Sequence, residues 1–404
     1  MKFISYKEAK WRLKESFEKT LLIQKVFLDD AVDRVLATDI RADENSPKFA
    51  TSAMDGYAIM YKDQKLKELK IVEKIPAGNF KNISICSGEC VKTFTGSLMC
   101  SGSDTLIPIE NVKVKDDQIT IIKPVPKGFA IRKIGENYKQ NELLIKKGTK
   151  IGFAEIAVMA SLNISQVDVY AKPNVAIIST GSEILDVGET QTNPSQIRSS
   201  NHITLEILAK SAGANVLRAP LVKDDKQIIK KTILNCLNSS DIVVTTGGVS
   251  VGDYDFIKDI LKELNGNYII DGVYIKPGQH IKIVKIDQKY ICALPGFAYS
   301  STVTFILFVC SLIKKMQGLD EDIDIFKAIL EDDFYKKTDK TEFTAVNVKY
   351  KNGKYHVNFQ DKKIGSSAIL TNILGNSALM ITDKQSRKIP KGEEVDIILM
   401  RNFK

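Results

Sequence analysis

DIVVTTGGVSVGDYDFIKDILKEL, residues 241 to 264, holds the pattern on which the fold turns. DIVVTT is a short β-branched apolar run, as a buried strand requires, and YDFIKDILKEL has the spacing of a helix. Between them TTGGVSVGD, Thr245 to Asp253, is a glycine-rich loop. Glycines let backbone N–H groups approach an oxyanion, and a helix start adds partial positive charge, so strand, loop and helix together describe an anion site, the alternative being a glycine-rich turn chosen only for tightness. The spacing is neither GxGxxG nor GxxxxGK[ST], which weakens dinucleotide and P-loop readings.

Outward from this stretch the same alternation repeats. NVAIIST is a strand, HITLEILAKSA a helix, NVLRAPLV a strand and KQIIKKTILNCL a helix. Strands and helices in turn predict a doubly wound parallel α/β domain with helices on both faces. Loops leaving its strands on one edge would carry Thr180-Gly181-Ser182-Glu183 and Lys223-Asp224-Asp225 toward the crevice where open α/β sheets bind ligands. With Asp255, these bring carboxylates beside the anion loop, which suits a bridging divalent cation, Mg²⁺ by its preference for hard oxygen. Asp224 and Asp225 could instead only cap the helix that follows them, and Asp255 could simply start its own. Lys276 before Pro277-Gly278 offers a point charge for a phosphate, though an isolated KPG is more often only a turn, and Leu294-Pro295-Gly296 follows the strand YICAL.

The flanks read differently. Ser5 and Glu8 have capping-box spacing before Ala9, Leu13 and Phe17, so an amphipathic helix opens the chain. Val26 to Ala42 reads as a short strand and then a helix. From Leu66 to Gly148 short Val/Ile/Thr runs are cut by Gly, Pro and Asp-Asp turns, with a hairpin at Asp116 and Asp117. After Gln317 the chain turns strand-like again, and Asn352-Gly353 between two alternating runs marks a second hairpin. The expected domains are a discontinuous mixed α/β segment (1–45 with 140–170), a β-rich domain (46–139), the α/β domain (171–316) and a β-barrel-like C-terminal domain (317–404).

Composition bounds the partners. At 404 residues, with 44% hydrophobic and 26% charged side chains, the chain has ample material for several folded domains. The balance of 58 basic against 49 acidic residues gives +9, suited to an anionic partner. Only eight of the basic residues are Arg, which weighs against nucleic acid. Six cysteines without a C-x-x-C pair suggest reduced thiols in the cytoplasm. Cys86, Cys90 and Cys100 lack paired metal-ligand spacing and read better as small hydrophobes. Early lysines leave no signal-peptide pattern. The uncharged stretch from Ile291 to Ile313, broken by Pro295 and Gly296, reads as a buried strand, a turn and a core helix rather than a membrane span.

SAMDGYA (Ser52 to Ala58), FTGS (Phe94 to Ser97), STGSEI (Ser179 to Ile184), TTGGVSVGDYD (Thr245 to Asp255), IKPG (Ile275 to Gly278) and ALPG (Ala293 to Gly296) follow in order over nearly the whole chain. Together they resemble the molybdopterin molybdenumtransferases, the family of MoeA and the gephyrin E-domain. The resemblance implies an elongated homodimer of four domains per chain. It also implies a reaction in which adenylylated molybdopterin and molybdate, with a divalent metal, give molybdenum cofactor and AMP. By motif, Asp55 and Thr95 would be contributed across the dimer, and Glu183, Asp224 and Asp255 would organise metal and phosphate. Thr180, Gly247, Gly248 and Ser250 would hold the ligand, with Lys276 and Pro295 lining the crevice. Docking with a molybdopterin adenylyltransferase would fit the same pathway.

The chain departs from the family pattern at several positions. Asn137 and Ser182 stand where carboxylates are usual, and Gln279 and His280 where a further basic residue is frequent. Phe297 and Ala298 replace an amide and a proline, Gly272 a lysine of some members, and Ala345 an arginine. Losing charged groups around an oxyanion would weaken binding by roughly a few kcal/mol where they are partly buried. A divergent paralogue preferring tungstate, a non-catalytic scaffold like the receptor-binding gephyrin relatives, and a nucleotide-cleaving enzyme are the other readings. The last leaves SAMDGYA without a role.

Overall fold

The computed structural model describes residues 3–18, 21–79, 81–248, 256–320 and 323–400. The chain packs into two compact units, one of residues 1–37, 150–152 and 166–404, the other of residues 38–149 and 153–165.

In the first unit a six-stranded sheet is built from β1 (Asn174–Ser179), β2 (Asn215–Arg218), β3 (Ile242–Thr246), β4 (Asn267–Asp271), β5 (Lys282–Ile286) and β6 (Lys289–Leu294). Its order is β2-β1-β3-β6-β5-β4. The first four strands in this order are parallel, as expected. Only β5 is reversed: it runs antiparallel to β6 on one side and to β4 on the other. Only Asp287 and Gln288 separate β5 from β6, with Asp287 at φ 51°. A link that short makes a hairpin and cannot make a crossover.

Alternate residues of each parallel strand feed opposite faces, as a pleated sheet demands. Val175, Ile177, Ile242 and Val244 meet Leu205 and Ala209 of α1 (Asn201–Ser211), and Val303, Leu307 and Ile313 of the long helix Ala298–Met316. Ala176, Ile178 and Val243 meet Ile229 and Ile233 of α2 (Lys226–Ser239), and Ile257 and Ile260 of α3 (Phe256–Glu263). Ala298–Met316 is apolar and long enough to cross a membrane, but 83% of its most apolar window is buried in this core, which agrees with the sequence reading of Ile291 to Ile313.

Asp225 caps α2, its carboxylate accepting the Ile228 N–H at 2.9 Å. At the far end of α3 Glu263 lies 2.7 Å from both Lys226 and Lys230. Those two ammonium groups pull its carboxyl down to about 2 from 4.5. A depressed carboxylate stabilises the fold above its unfolded pKa and loses that contribution as pH falls through the folded one. A Glu263→Gln variant therefore melts below wild type at neutral pH, and the difference closes as pH drops from 4.5 toward 2, measurable by calorimetry.

The remaining strands of this unit close a small barrel. Phe326–Leu330, Thr341–Lys351, Lys354–Asn358, Ser377–Thr382 and Glu394–Leu399 pair in a ring, with Thr341–Lys351 bonded to both Lys354–Asn358 and Ser377–Thr382. The expected hairpin is present, with Asn352 and Gly353 both left-handed at φ 51° and 77°. Ile275–Lys276 adds in parallel beside Thr341 and Glu342. At the N-terminus Ser5 caps the helix Tyr6–Glu15, which buries Ala9 and Leu13. The helix expected within Val26 to Ala42 is absent. Strand Ile23–Phe27 leads only into a single 3₁₀ turn, Leu28–Asp30, and Asp33 at φ 63° cannot continue a right-handed helix.

The second unit is β-rich, as expected. Its sheet runs Thr105–Pro108, Gly56–Ile59, Glu89–Thr93, Glu68–Ile75, Gln118–Ile121, Val112–Lys115, and the last two strands form the hairpin around Asp116, at φ 51°, and Asp117. Five of the six cysteines are buried and Cys86 is exposed. Burial pushes the thiols of Cys90, Cys292 and Cys310 up to about 12. Since the thiolate is the reactive form, a thiol reagent at pH 8 modifies Cys86 rapidly in the native protein. The other five react only on unfolding, as mass spectrometry would count.

Candidate active site

Helix α1 follows β1 onto one face of the sheet and α2 follows β2 onto the other, so the winding reverses between β1 and β3. An open α/β sheet has its ligand crevice at the carboxyl ends flanking such a reversal. There the Thr180 N–H donates to the Thr246 carbonyl at 3.1 Å, and the Ser179 and Thr246 hydroxyls lie 2.9 Å apart. Gly247 and Gly248 follow at φ 96° and 63°. A Cβ on Gly247 would lie 2.8 Å from the Thr180 carbonyl oxygen, so glycine is required by both conformation and space.

These ends open into a cleft of about 740 Å³. Thr180, Glu183, Gly247, Gly248, Lys276 and Pro295, all named from sequence, line it. Ser250 and Asp255 lie outside the described residues. Asp224 is not in the cleft wall. Its carboxylate accepts the Ser182 N–H at 2.9 Å while its own N–H donates to the Ser182 hydroxyl at 3.1 Å, tying the β2 loop to the β1 loop beside Glu183. Asp225, not Asp224, caps the helix. Among the described residues no three ligating side chains gather into a metal-binding group.

Sequence reasoning missed several parts of the wall. Among the described residues, Arg198 and Lys340 line the cleft with Lys276, against one carboxylate there, Glu183. Lys340 donates to the Gln279 side-chain oxygen. It reaches the cleft because Thr341 pairs with Ile275, a pairing across domains that no local pattern announces. Lys276 stands 3.7 Å from the buried Glu342. Asn201 binds the Gly296 carbonyl at 2.7 Å and receives the Ser301 hydroxyl, fixing the loop after β6. The starts of α1 and of Ala298–Met316 both meet the cleft, bringing the positive ends of two helix dipoles to its wall.

The departures noted above have physical readings. Phe297 lines the cleft and is 61% exposed, an apolar face where an amide is usual. Gly272, at φ 91°, would set a Cβ 2.3 Å from the Phe3 ring, so no lysine fits that backbone.

In the second unit Asp55 accepts both the Thr95 N–H (2.8 Å) and the Thr95 hydroxyl (2.9 Å) through one oxygen. The Thr95 N–H, then its hydroxyl, and the charge of Lys92 hold this exposed carboxyl below its ordinary range. Two residues named separately from sequence are therefore hydrogen-bonded to each other.

An α/β sheet whose cleft at the winding reversal carries, among the described residues, more cations than carboxylates, set beside a small barrel, has the build of an anionic-ligand site. Comparison with known proteins narrows that class. Residues 4–163 match the family described as MoeA N-terminal region (domain I and II), and residues 176–315 the one described as probable molybdopterin binding domain. The molybdopterin molybdenumtransferase of Staphylococcus aureus (strain COL) is 32% identical over 381 residues, 93% of this chain and 90% of that protein. That of Haemophilus influenzae is 29% identical over 374 residues, 92% of each. A crystal structure of the molybdopterin biosynthesis moeA protein from Pyrococcus horikoshii OT3 superposes with a TM-score of 0.83 at 32% identity, over 98% of this chain and 100% of that one. The chain belongs to the molybdopterin molybdenumtransferase family.

Proposed function

We propose that this protein is a transferase of molybdenum cofactor biosynthesis that inserts molybdate into adenylylated molybdopterin and releases AMP. The observation that carries the reading is the cleft itself. Arg198, Lys276 and Lys340, the backbone at Gly247 and Gly248, and two helix starts surround a volume of about 740 Å³, room for a pterin phosphate, an adenylyl group and a doubly charged oxyanion. Fixed donors that need no reorganisation stabilise charge shifting from the phosphoanhydride to the departing AMP.

Mg²⁺ suits the donors present. That ion is held by one or two carboxylates together with substrate phosphates, and Glu183 in the wall with Asp224 beside it would supply them. When bound it would neutralise phosphate charge. Asp55 and Thr95 would come to the ligand from a second copy in a homodimer, and the cytoplasm is the expected compartment. Purified protein given adenylylated molybdopterin, Mg²⁺ and molybdate releases AMP. No release above the blank at any molybdate concentration would overturn the assignment.

A further inference from the structure

Behind the cleft wall lies a chain of polar groups that the reading above leaves unused. The loop after β1 turns back through a short parallel pairing of Ile184–Leu185 with Ile197–Arg198, placing Asp186 and Ser199 on either side of α1's first turn. His202, in that turn, is 1% exposed. Its Nε2 lies 3.0 Å from the Asp186 carboxylate and its Nδ1 2.7 Å from the Ser199 hydroxyl. Ser199 itself lines the cleft.

The chemistry of the three groups orders their protons. Asp186 is a carboxylate that also accepts the Val187 N–H at 2.7 Å, so it can only accept from Nε2. A neutral imidazole whose Nε2 carries the hydrogen has a bare Nδ1, and the Ser199 hydroxyl then donates to it. The cleft wall thus includes a serine, itself 7% exposed, whose hydroxyl proton points at a base. The other charges around His202 are few. Arg198 bonds the Asp186 carbonyl, Glu206 shares the helix, and Arg218 at the end of β2 reaches Glu206 at 3.5 Å. A positive imidazole formed here would face Asp186 and Glu206.

We infer that Ser199 is a catalytic residue that relays a proton from the attacking water to His202 during phosphoanhydride cleavage, with His202 and Asp186 as positioning residues behind it. This rests on the function proposed above. In the step, a water oxygen bonds to phosphorus and the P–O bond to the bridging oxygen breaks, its electron pair leaving with the departing phosphate. One water proton passes to Ser199 Oγ as the serine proton moves to His202 Nδ1, and the other stays on the new phosphate until solvent takes it. Attack at either phosphorus gives the same two monophosphates, one of them AMP.

The test combines kinetics with a measurement that needs no turnover. Ser199→Ala should lower kcat for AMP release roughly 100-fold with KM within about twofold, and Ser199→Thr, which keeps a hydroxyl, should recover most of it. His202→Gln should lower kcat comparably and flatten the acid limb of the pH–kcat profile. Only three histidines occur in the chain, so nitrogen-15 spectra of wild type, with His202 identified by its loss in His202→Gln, report its tautomer directly. A hydrogen on Nε2 and a bare Nδ1 support the relay. The opposite tautomer, an unaltered acid limb in His202→Gln, or full activity in Ser199→Ala would each overturn it. If wild type releases no AMP, the proposed function fails, while the tautomer still judges the relay's geometry.

Discussion

Replacing Gly56 with alanine lowers the melting temperature of the protein by roughly 5–10 °C. Gly56 heads the strand Gly56–Ile59, which is flanked by Thr105–Pro108 and Glu89–Thr93 in the second unit. An ideal Cβ there would sit 2.3 Å from the Ile107 carbonyl oxygen and 3.0 Å from the Leu106 side chain. The obstacle is backbone of a paired strand, so relief requires the strands to part, at a cost of about 3 kcal/mol for overpacking. Conformation is not the issue, because Gly56 is not among the residues with positive φ. Gly128→Ala is the matched control. It has φ 78° but nothing within 4 Å, so only the left-handed penalty of about 1 kcal/mol applies. Thermal denaturation of both variants decides the matter. A Gly56→Ala protein melting with wild type, or below it only as far as Gly128→Ala, would show that the sheet accommodates the methyl. Asp55, one residue earlier, would shift with the strand, so the Asp55–Thr95 bonds should weaken in the same variant.

That single glycine also shows what a sequence can and cannot disclose. SAMDGYA and FTGS were legible as motifs, and Asp55 and Thr95 were named from them without the bond between the two, yet the reason for Gly56 is a carbonyl of Ile107, brought close only by folding. The parallel strands and their helices were legible because apolar periodicity encodes them locally. The one reversed strand, β5, turns on how few residues join it to β6, and on a left-handed Asp287, which composition does not advertise. Val26 to Ala42 misled for the same reason, since a single left-handed Asp33 stops the helix its apolar residues suggest. At the cleft, Thr180, Glu183, Gly247 and Pro295, carried by strand ends, are all in the lining. Arg198 and Lys340 were not foreseen. Lys340 reaches the cleft from the barrel only through the pairing of Thr341 with Ile275, and long-range pairing leaves no mark in a local pattern.

Removing the charge of Lys276 should cost the enzyme about 10²–10³ in kcat/KM for AMP release, the loss typical of deleting one preorganised donor from a developing anion. The residue is set by its strand, Ile275–Lys276, whose register against Thr341 and Glu342 fixes where the ammonium emerges. It also has a second duty. Glu342 is buried, and the ammonium 3.7 Å away, with the Thr338 hydroxyl, compensates its charge. Lys276→Met therefore leaves a buried carboxylate short of its cation, which destabilises the barrel for reasons unrelated to catalysis. The double variant Lys276→Met/Glu342→Gln separates the two duties. It removes the buried charge along with its partner, so the melting temperature should return toward wild type while AMP release stays low. Lys276→Arg, by contrast, keeps the charge but spreads it over a fork that no longer acts as a point charge, and should be impaired less than Lys276→Met. If the double variant regains wild-type turnover, then Lys276 serves only to neutralise Glu342, and the cleft draws its cations from Arg198 and Lys340 alone.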